Sequence, residues 1–114
     1  MSDPKTAEER RRQARRALKG SARIMLSTGK VFEVRTTDIS VEGVGVVASA
    51  NPKNGTTFKI QVTLPTRPTG TTTFEASAKV VHSILAGEQD GFKIGLMFSG
   101  LTPEIEAIIR TYVG

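Results

Sequence analysis

The sequence predicts an all-β domain, a six-stranded antiparallel β-barrel with a basic N-terminal arm and one C-terminal amphipathic helix. Three observations lead to this prediction. Apolar and polar residues alternate with a period of two through most of the chain, as they do in half-buried strands. Turns rich in glycine, asparagine and proline separate these segments. Only the residues after Leu101 follow the helical period, and 114 residues are enough for one domain of this kind.

The strands follow from the alternation. The segment from Phe58 to Leu64 alternates without an error, and Ser27-Thr28-Gly29-Lys30 is typical of a hairpin turn that joins the first two strands. Residues 38–43 interrupt the pattern. Phe32 and Val34 are predicted to point inward, and all five phenylalanines are assigned to the core. The predicted strands cover residues 22–26, 31–36, 44–50, 58–64, 73–84 and 92–98.

The end of the chain predicts a helix over residues 102–113. Thr102 is a suitable N-cap, Pro103 suits the first helical position, and Glu104 complements the positive end of the helix dipole. Apolar residues recur at helical spacing, so one side of the helix needs a partner surface. A helix packed against an antiparallel barrel satisfies that need. The apolar residues are Ile105, Ile108, Ile109 and Tyr112.

Composition excludes several classes of function. The chain has no cysteine and one histidine, His82, so no metal site, disulfide or thiol chemistry is expected. A Ser-His-Asp arrangement would have to use that histidine, and we predict no enzyme activity. The sequence has no apolar run long enough to cross a membrane and no secretory leader. We therefore expect a cytoplasmic monomer that is not inserted in a membrane and needs no cofactor.

The positive charge is concentrated near the N-terminus. The first 23 residues hold eight basic and three acidic side chains, which accounts for the whole net charge of +5. Such a segment attracts partners that carry phosphate groups. The predicted organisation is a flexible tail over residues 1–9, an arginine-rich arm over 10–20, a barrel over 21–99 and the helix. We expect an anionic ligand to order the arm, because its arginines repel one another.

Two segments carry possible binding chemistry. The arm contains the sequence RRRQARR, which holds R-x-x-x-R in two frames, Arg11/Arg15 and Arg12/Arg16. The interruption between the second and third strands reads D-x-S-x-x-G, with Asp38, Ser40 and Gly43. The arginines could also be a solvated tail or an arm for polyanions. Asp38 and Ser40 could cap a turn, and Gly43 could sit in a bulge.

Together with the strand order and the ending GFKIGLMFSGLTPEIEAIIRTYV, these motifs resemble the PilZ family of bacterial cyclic di-GMP receptors. The resemblance covers residues 9–114 and implies a PilZ-like split barrel. It implies that Arg11, Arg15, Asp38, Ser40 and Gly43 bind cyclic di-GMP, with extra positive charge supplied by Arg10, Arg12 and Arg16. The first frame is favoured because a small or apolar stretch follows the second arginine in the family pattern.

The motif residues also suit this ligand chemically. A guanidinium can bridge phosphate oxygens, pair with the O6 and N7 atoms of guanine, and stack on a purine. The carboxylate of Asp38 can accept hydrogen bonds from the N1 and N2 donors of guanine, and the hydroxyl of Ser40 can bond a phosphate or a base. Gly43 allows a ligand or a backbone to approach closely.

The sequence therefore predicts a receptor that signals to an unidentified protein effector by rearranging its surface. Two alternatives remain at this stage. One is a small basic barrel that binds single-stranded nucleic acid, which the low aromatic content of 5% argues against. The other is a PilZ-like adaptor that acts without nucleotide.

Overall fold

A computed structural model describes residues 14–87 and 91–114 of the chain. The described residues form six strands and one helix. Residues 1–13, which include the predicted tail and Arg10, Arg11 and Arg12, lie outside them. The elements are β1 (Arg16–Met25), β2 (Val31–Ile39), β3 (Gly43–Ala48), β4 (Thr57–Pro65), β5 (Thr71–Ala86), β6 (Gly91–Ser99) and α1 (Pro103–Val113).

The six strands close into a barrel in the order β1-β2-β3-β6-β5-β4, and every neighbouring pair is antiparallel. Within residues 14–87 and 91–114, closure leaves no sheet edge to pair with another chain. The predicted fold class, an all-β barrel of six antiparallel strands with one C-terminal helix, is confirmed.

The alternating residues of the strands fill the barrel. Ile60, Val62 and Val80 are almost fully buried, together with the apolar side chains that face them from the other strands. Helix α1 covers one end of this core with Ile109, which is fully buried. The hydroxyl of Thr102 accepts a hydrogen bond from the Ile105 amide at 3.2 Å, as an N-cap should.

The two ends of the barrel differ. The end that α1 covers also holds the β2–β3 turn, the β4–β5 loop and the start of β1. We call it the motif end, because Asp38 and Ser40 lie there. The opposite end holds the β1–β2 turn, in which Gly29 has a φ of 93°, and the β5–β6 hairpin.

Phe32 was predicted to lie in the core, and this prediction is wrong: the residue is 47% exposed. It pairs with Ile24 and therefore shares the inward face of the sheet, as alternation indicates. It lies one residue from the start of β2, however, at the end of the barrel that α1 does not cover. Alternation gives the face of a residue but not its distance from the end of a strand.

Strand β1 begins at Arg16, well before the alternation in the sequence becomes visible. Residues 16 and 17 pair with Ile39 and Asp38, and a register shift follows before residue 20. The irregularity breaks the period-two pattern that revealed the other strands. Residues 16–20 already belong to β1, so the expected ordering of the arm by ligand would not include them.

Candidate functional site

Ser40 shapes the turn between β2 and β3. Its side chain is almost fully buried, and its hydroxyl oxygen accepts hydrogen bonds from the amides of Glu42 at 3.1 Å and Gly43 at 3.3 Å. The Ser40 amide in turn donates to the carbonyl of Gly43 at 2.9 Å. The hydroxyl thus takes the place of a backbone acceptor in the turn. Ser40 therefore has the structural role of a turn-capping residue, as the sequence analysis allowed. It also contacts an arginine.

That arginine is Arg15, which joins the two sequence motifs. Its Nε donates to Oδ2 of Asp38 at 2.5 Å, and its Nη1 donates to the Ser40 hydroxyl at 3.0 Å. The ion pair is only partly shielded, because 42% of the Arg15 side chain and 33% of the Asp38 side chain remain exposed. Residues that are 23 and 25 positions apart in the chain therefore meet at one surface site.

The electrostatics of Asp38 favour its charged form. Partial burial raises its pKa, but the hydrogen bonds from Arg15 and Thr37 and the charges of Arg15 and Lys93 lower it by more. The pKa of Asp38 therefore lies below its ordinary value. At neutral pH the group is an ionised acceptor, which is the form that can take hydrogen bonds from the donor edge of a base.

A β-bulge determines which way Asp38 points. Thr36 pairs with Val46 on the buried side of the sheet, but Asp38, two residues later, pairs with Gly45. Thr37 is thus the extra residue of the bulge. If the strand alternated regularly here, with no bulge, Asp38 would face the interior together with Thr36. The Thr37 hydroxyl donates to Oδ1 of Asp38 at 2.8 Å and helps to fix the carboxylate.

Gly45 also belongs to this candidate site, although it lies outside the D-x-S-x-x-G motif. A Cβ atom on Gly45 would lie about 2.3 Å from Oδ1 of Asp38, so only glycine leaves room for the carboxylate. Gly45 pairs with Gly95 on β6, and a Cβ on Gly95 would collide with the ring of His82. Gly45 and Gly95 thus form a strip of backbone without side chains of its own, and the side chains of Asp38 and His82 lie against it.

The sequence contained a signal for this strip. Gly43 and Gly45 are two residues apart in β3 and therefore lie on the same face of that strand. Gly95 lies in the middle of β6, where a glycine has no turn to form. Such glycines indicate a close approach of other groups to the backbone. Their pairing across strands, however, depends on a register that the sequence does not give.

Gly43 has a different role. A Cβ atom on it would lie about 1.9 Å from the carbonyl oxygen of Leu96 in β6. The glycine of the D-x-S-x-x-G motif therefore allows the backbones of β3 and β6 to approach each other. The sequence left open whether a ligand or a backbone approaches this glycine. Gly43 positions the turn rather than presenting a surface.

Arg16 is directed away from Asp38. Its Nη1 donates to the carbonyl of Tyr112 at 2.7 Å, and its guanidinium lies 4.5 Å from the centre of the Tyr112 ring. The Tyr112 hydroxyl donates to the carbonyl of Ala17 at 2.7 Å. Arg16 and Tyr112 thus attach the start of β1 to the end of α1.

Two further properties concern the described residues alone. Across 14–87 and 91–114, the structure brings together no group of three histidine, aspartate or glutamate side chains that could hold a metal ion. In the same ranges, no helix has the length and apolar character needed to span a membrane.

Comparison with known proteins identifies the family. The model of the PilZ domain matches residues 9–114, and the chain therefore belongs to the PilZ family. No curated protein sequence matches the chain.

Solved structures share the fold. The inhibitor of motility MotI/DgrA from Bacillus subtilis is 18% identical, with a TM-score of 0.78 over 88% of this chain and 47% of that one. The PilZ domain of YcgR from Escherichia coli, solved with c-di-GMP, is 17% identical, with a TM-score of 0.63 over 86% and 85%. PlzA from Borreliella burgdorferi, in complex with c-di-GMP, is 12% identical, with a TM-score of 0.64 over 90% and 51%. The chain thus spans about half the length of MotI/DgrA and PlzA.

Proposed function

We propose that this protein is a cytoplasmic bacterial receptor for cyclic di-GMP. The observation that carries the proposal is the contact of Arg15 with both Asp38 and Ser40, which joins the arginine motif to D-x-S-x-x-G. Membership of the PilZ family supports it, as do the similar folds of YcgR and PlzA, both of which were solved with c-di-GMP.

The chemistry of the site suits a guanine dinucleotide. Arg15 has five N–H donors, and its contacts with Asp38 and Ser40 use two of its nitrogens, Nε and Nη1. A phosphate or the acceptor edge of guanine can take the rest. The ionised carboxylate of Asp38 is an acceptor for the N1 and N2 donors of guanine. The carboxylate lies against the backbone of Gly45, because glycine has no side chain to displace it.

The geometry supports the Arg11/Arg15 frame over Arg12/Arg16. Consecutive side chains of an extended chain point to opposite sides, so Arg15 and Arg16 cannot both face Asp38. Arg15 contacts the motif, whereas Arg16 contacts Tyr112. We therefore propose Arg11 and Arg15 as the ligand-binding pair, although Arg11 lies outside the described residues.

The receptor is proposed to act without catalysis. Arg15 contacts Ser40 of the β2–β3 turn, so a ligand bound there can alter the surface around this turn. A protein effector would read the altered surface. The resemblance in fold to MotI/DgrA, which is named as an inhibitor of motility, makes motility or biofilm formation a reasonable process for it to control.

A small barrel that binds single-stranded nucleic acid is less well supported. Such barrels offer exposed aromatic rings as stacking platforms. Phe58, Phe74 and Phe98 are buried here, and the Tyr112 ring is covered by Arg16. Phe32 is exposed, but it lies at the end of the barrel opposite Arg15. An adaptor that acts without nucleotide would leave the contacts of Arg15 with Asp38 and Ser40 without a function.

Isothermal titration calorimetry with cyclic di-GMP tests the proposal. GTP and a short single-stranded oligonucleotide are the controls for general phosphate affinity. We expect saturable binding of cyclic di-GMP and at least tenfold weaker binding of both controls. Absence of binding, or preference for the oligonucleotide, would overturn the proposed function in favour of one of the alternatives.

A further inference from the structure

A second concave site lies at the motif end, separate from Asp38 and Ser40. It is a cavity of about 560 Å³ between α1, the start of β1 and the β4–β5 loop. This volume is within the range of small-molecule sites, which is about 300–1,000 Å³. Its apolar wall includes Leu64, Pro65, Ile108 and Tyr112, and its charged side chains are Arg16 and Arg67.

The charged side chains described in the lining of this cavity are all positive. Two arginines line it, and no carboxylate is among the described residues that do so. Its remaining polar residues are threonines, which can donate or accept a hydrogen bond. An anion would therefore be attracted to the cavity, whereas a cation would be repelled by the two arginines and would find no carboxylate among its described lining residues.

Arg16 is held in place before any ligand arrives. Its guanidinium stacks on the Tyr112 ring, and its Nη1 donates to the carbonyl of the same residue. A guanidinium has five donors in a rigid fork, so this contact leaves others for a second acceptor. A fixed cation loses less side-chain entropy on binding than a mobile one does.

We propose that this cavity binds a small amphipathic anion, a molecule with an aromatic or aliphatic body and one carboxylate, sulfonate or phosphate group. The body would lie on the wall of Leu64 and Ile108, and the anionic group would lie between Arg16 and Arg67. This site goes beyond the proposed binding of cyclic di-GMP and does not depend on it, because neither Asp38 nor Ser40 lines the cavity.

A pair of fluorescent probes tests the two parts of the proposal separately. The anion 8-anilino-1-naphthalenesulfonate has the expected chemistry, and N-phenyl-1-naphthylamine has the same aromatic body without the sulfonate. We expect the full folded chain to bind one sulfonate probe saturably and to bind the neutral probe at least threefold more weakly.

Substitutions then locate the probe. Thr111→Trp fills the cavity from an exposed position on α1 and should weaken binding of the sulfonate probe at least tenfold. Arg67→Gln should weaken it at least threefold and leave the neutral probe unaffected. Arg23→Gln is the matched control, because Arg23 is an exposed arginine of β1 that does not line the cavity. It should change neither affinity.

Thermal melting shows whether each variant is folded, and Arg67→Gln in the loop gives a test that does not alter α1. The probes could instead bind the exposed apolar residues at the other end of the barrel, where Phe32 lies. Binding that is insensitive to Thr111→Trp and Arg67→Gln, or that is lost in Phe32→Ser, would overturn the proposal. So would a failure of the sulfonate probe to bind, or equal affinity for the two probes.

Discussion

Arg15 and Arg16 are consecutive residues of the same type, yet they belong to different regions of the molecule. Arg15 lies with Asp38 and Ser40 beside the β2–β3 turn, whereas Arg16 lies with Tyr112 at the end of α1. The two arginines are separated because successive side chains of an extended backbone point to opposite sides. In an arginine cluster, the direction of each side chain therefore decides what it can bind.

The two regions also differ in what surrounds the guanidinium. Arg15 faces an ionised carboxylate that is itself a proposed ligand contact, and the ion pair is partly open to solvent. Arg16 has an aromatic ring and a carbonyl as partners and holds two elements together. We thus expect substitutions on the Arg15 side to change ligand affinity, and those on the Arg16 side to change stability.

The largest effect is expected for Gly43, the glycine of the D-x-S-x-x-G motif, whose role is in backbone packing and not in the contacts of Arg15 or Arg16. Gly43→Ala places a Cβ against the Leu96 carbonyl, and backbone cannot move aside as a side chain can. We expect the free energy of unfolding to fall by about 3 kcal/mol. Gly45→Ala is the matched variant, because its Cβ meets the end of the Asp38 side chain. Compared with Gly43→Ala, this variant should lose less stability in urea unfolding and more affinity for cyclic di-GMP in calorimetry.

Substitution of the two arginines tests the comparison itself. Arg15→Ala should weaken cyclic di-GMP binding by about 1.5–3 kcal/mol, because charge-assisted hydrogen bonds are lost. Arg16→Ala should lose only long-range attraction and bind within about threefold of the unaltered chain. Calorimetry on both variants measures the difference. A larger loss at Arg16 would show that Arg12/Arg16 is the frame in use.

Selectivity for guanine over adenine tests the proposed role of Asp38 in base recognition. The carboxylate accepts from guanine donors that adenine does not present in the same pattern. Cyclic di-GMP should therefore bind at least tenfold more tightly than cyclic di-AMP, a difference of about 1.4 kcal/mol. Equal affinities in a competition titration would argue against base recognition by Asp38.

Removal of the Tyr112 hydroxyl tests the Arg16 side. Tyr112→Phe keeps the ring under Arg16 but loses the hydrogen bond to the Ala17 carbonyl. We expect the free energy of unfolding to fall by about 1 kcal/mol in urea, with unchanged affinity for cyclic di-GMP. A loss of affinity with no loss of stability would show that the two regions are not separate.

The smallest effect concerns pH. The pKa of Asp38 is lowered in the folded protein, so the carboxylate contributes stability above its ordinary pKa of about 3.9. That contribution is lost as the pH falls through the lower, folded value. Because the side chain is partly exposed, the loss should be small. Asp38→Asn should remove this part of the acid dependence in unfolding experiments at pH 7 and pH 3.

Much of the fold could be predicted from the sequence, because strand alternation and capping are local. Thr102 is the N-cap of α1, and Phe58 to Leu64 alternates as expected in β4. The start of β1 was missed because a register irregularity hides the alternation there. The exposure of Phe32 was missed because it depends on which end of the barrel the helix covers.

The candidate site was predictable only in part, for a related reason. Asp38 and Ser40 stood out as a motif, but their face depends on the bulge at Thr37, and bulges are not visible as a break in composition. Gly45 and Gly95 form the surface beside Asp38 through cross-strand pairing, which is long-range information. The contact of Arg15 with Asp38 likewise spans 23 residues and required the folded barrel.

The most direct test of the central claim is an NMR titration of the ¹⁵N-labelled protein with cyclic di-GMP. The amides of Asp38, Ser40, Gly45 and Gly95 report on the Arg15 side of the barrel, and those of Arg67, Ile108 and Thr111 report on the other. We expect large, saturable shifts in the first group and small ones in the second. Shifts confined to the second group, or spread evenly over both, would contradict the claim that cyclic di-GMP binds on the Arg15 side.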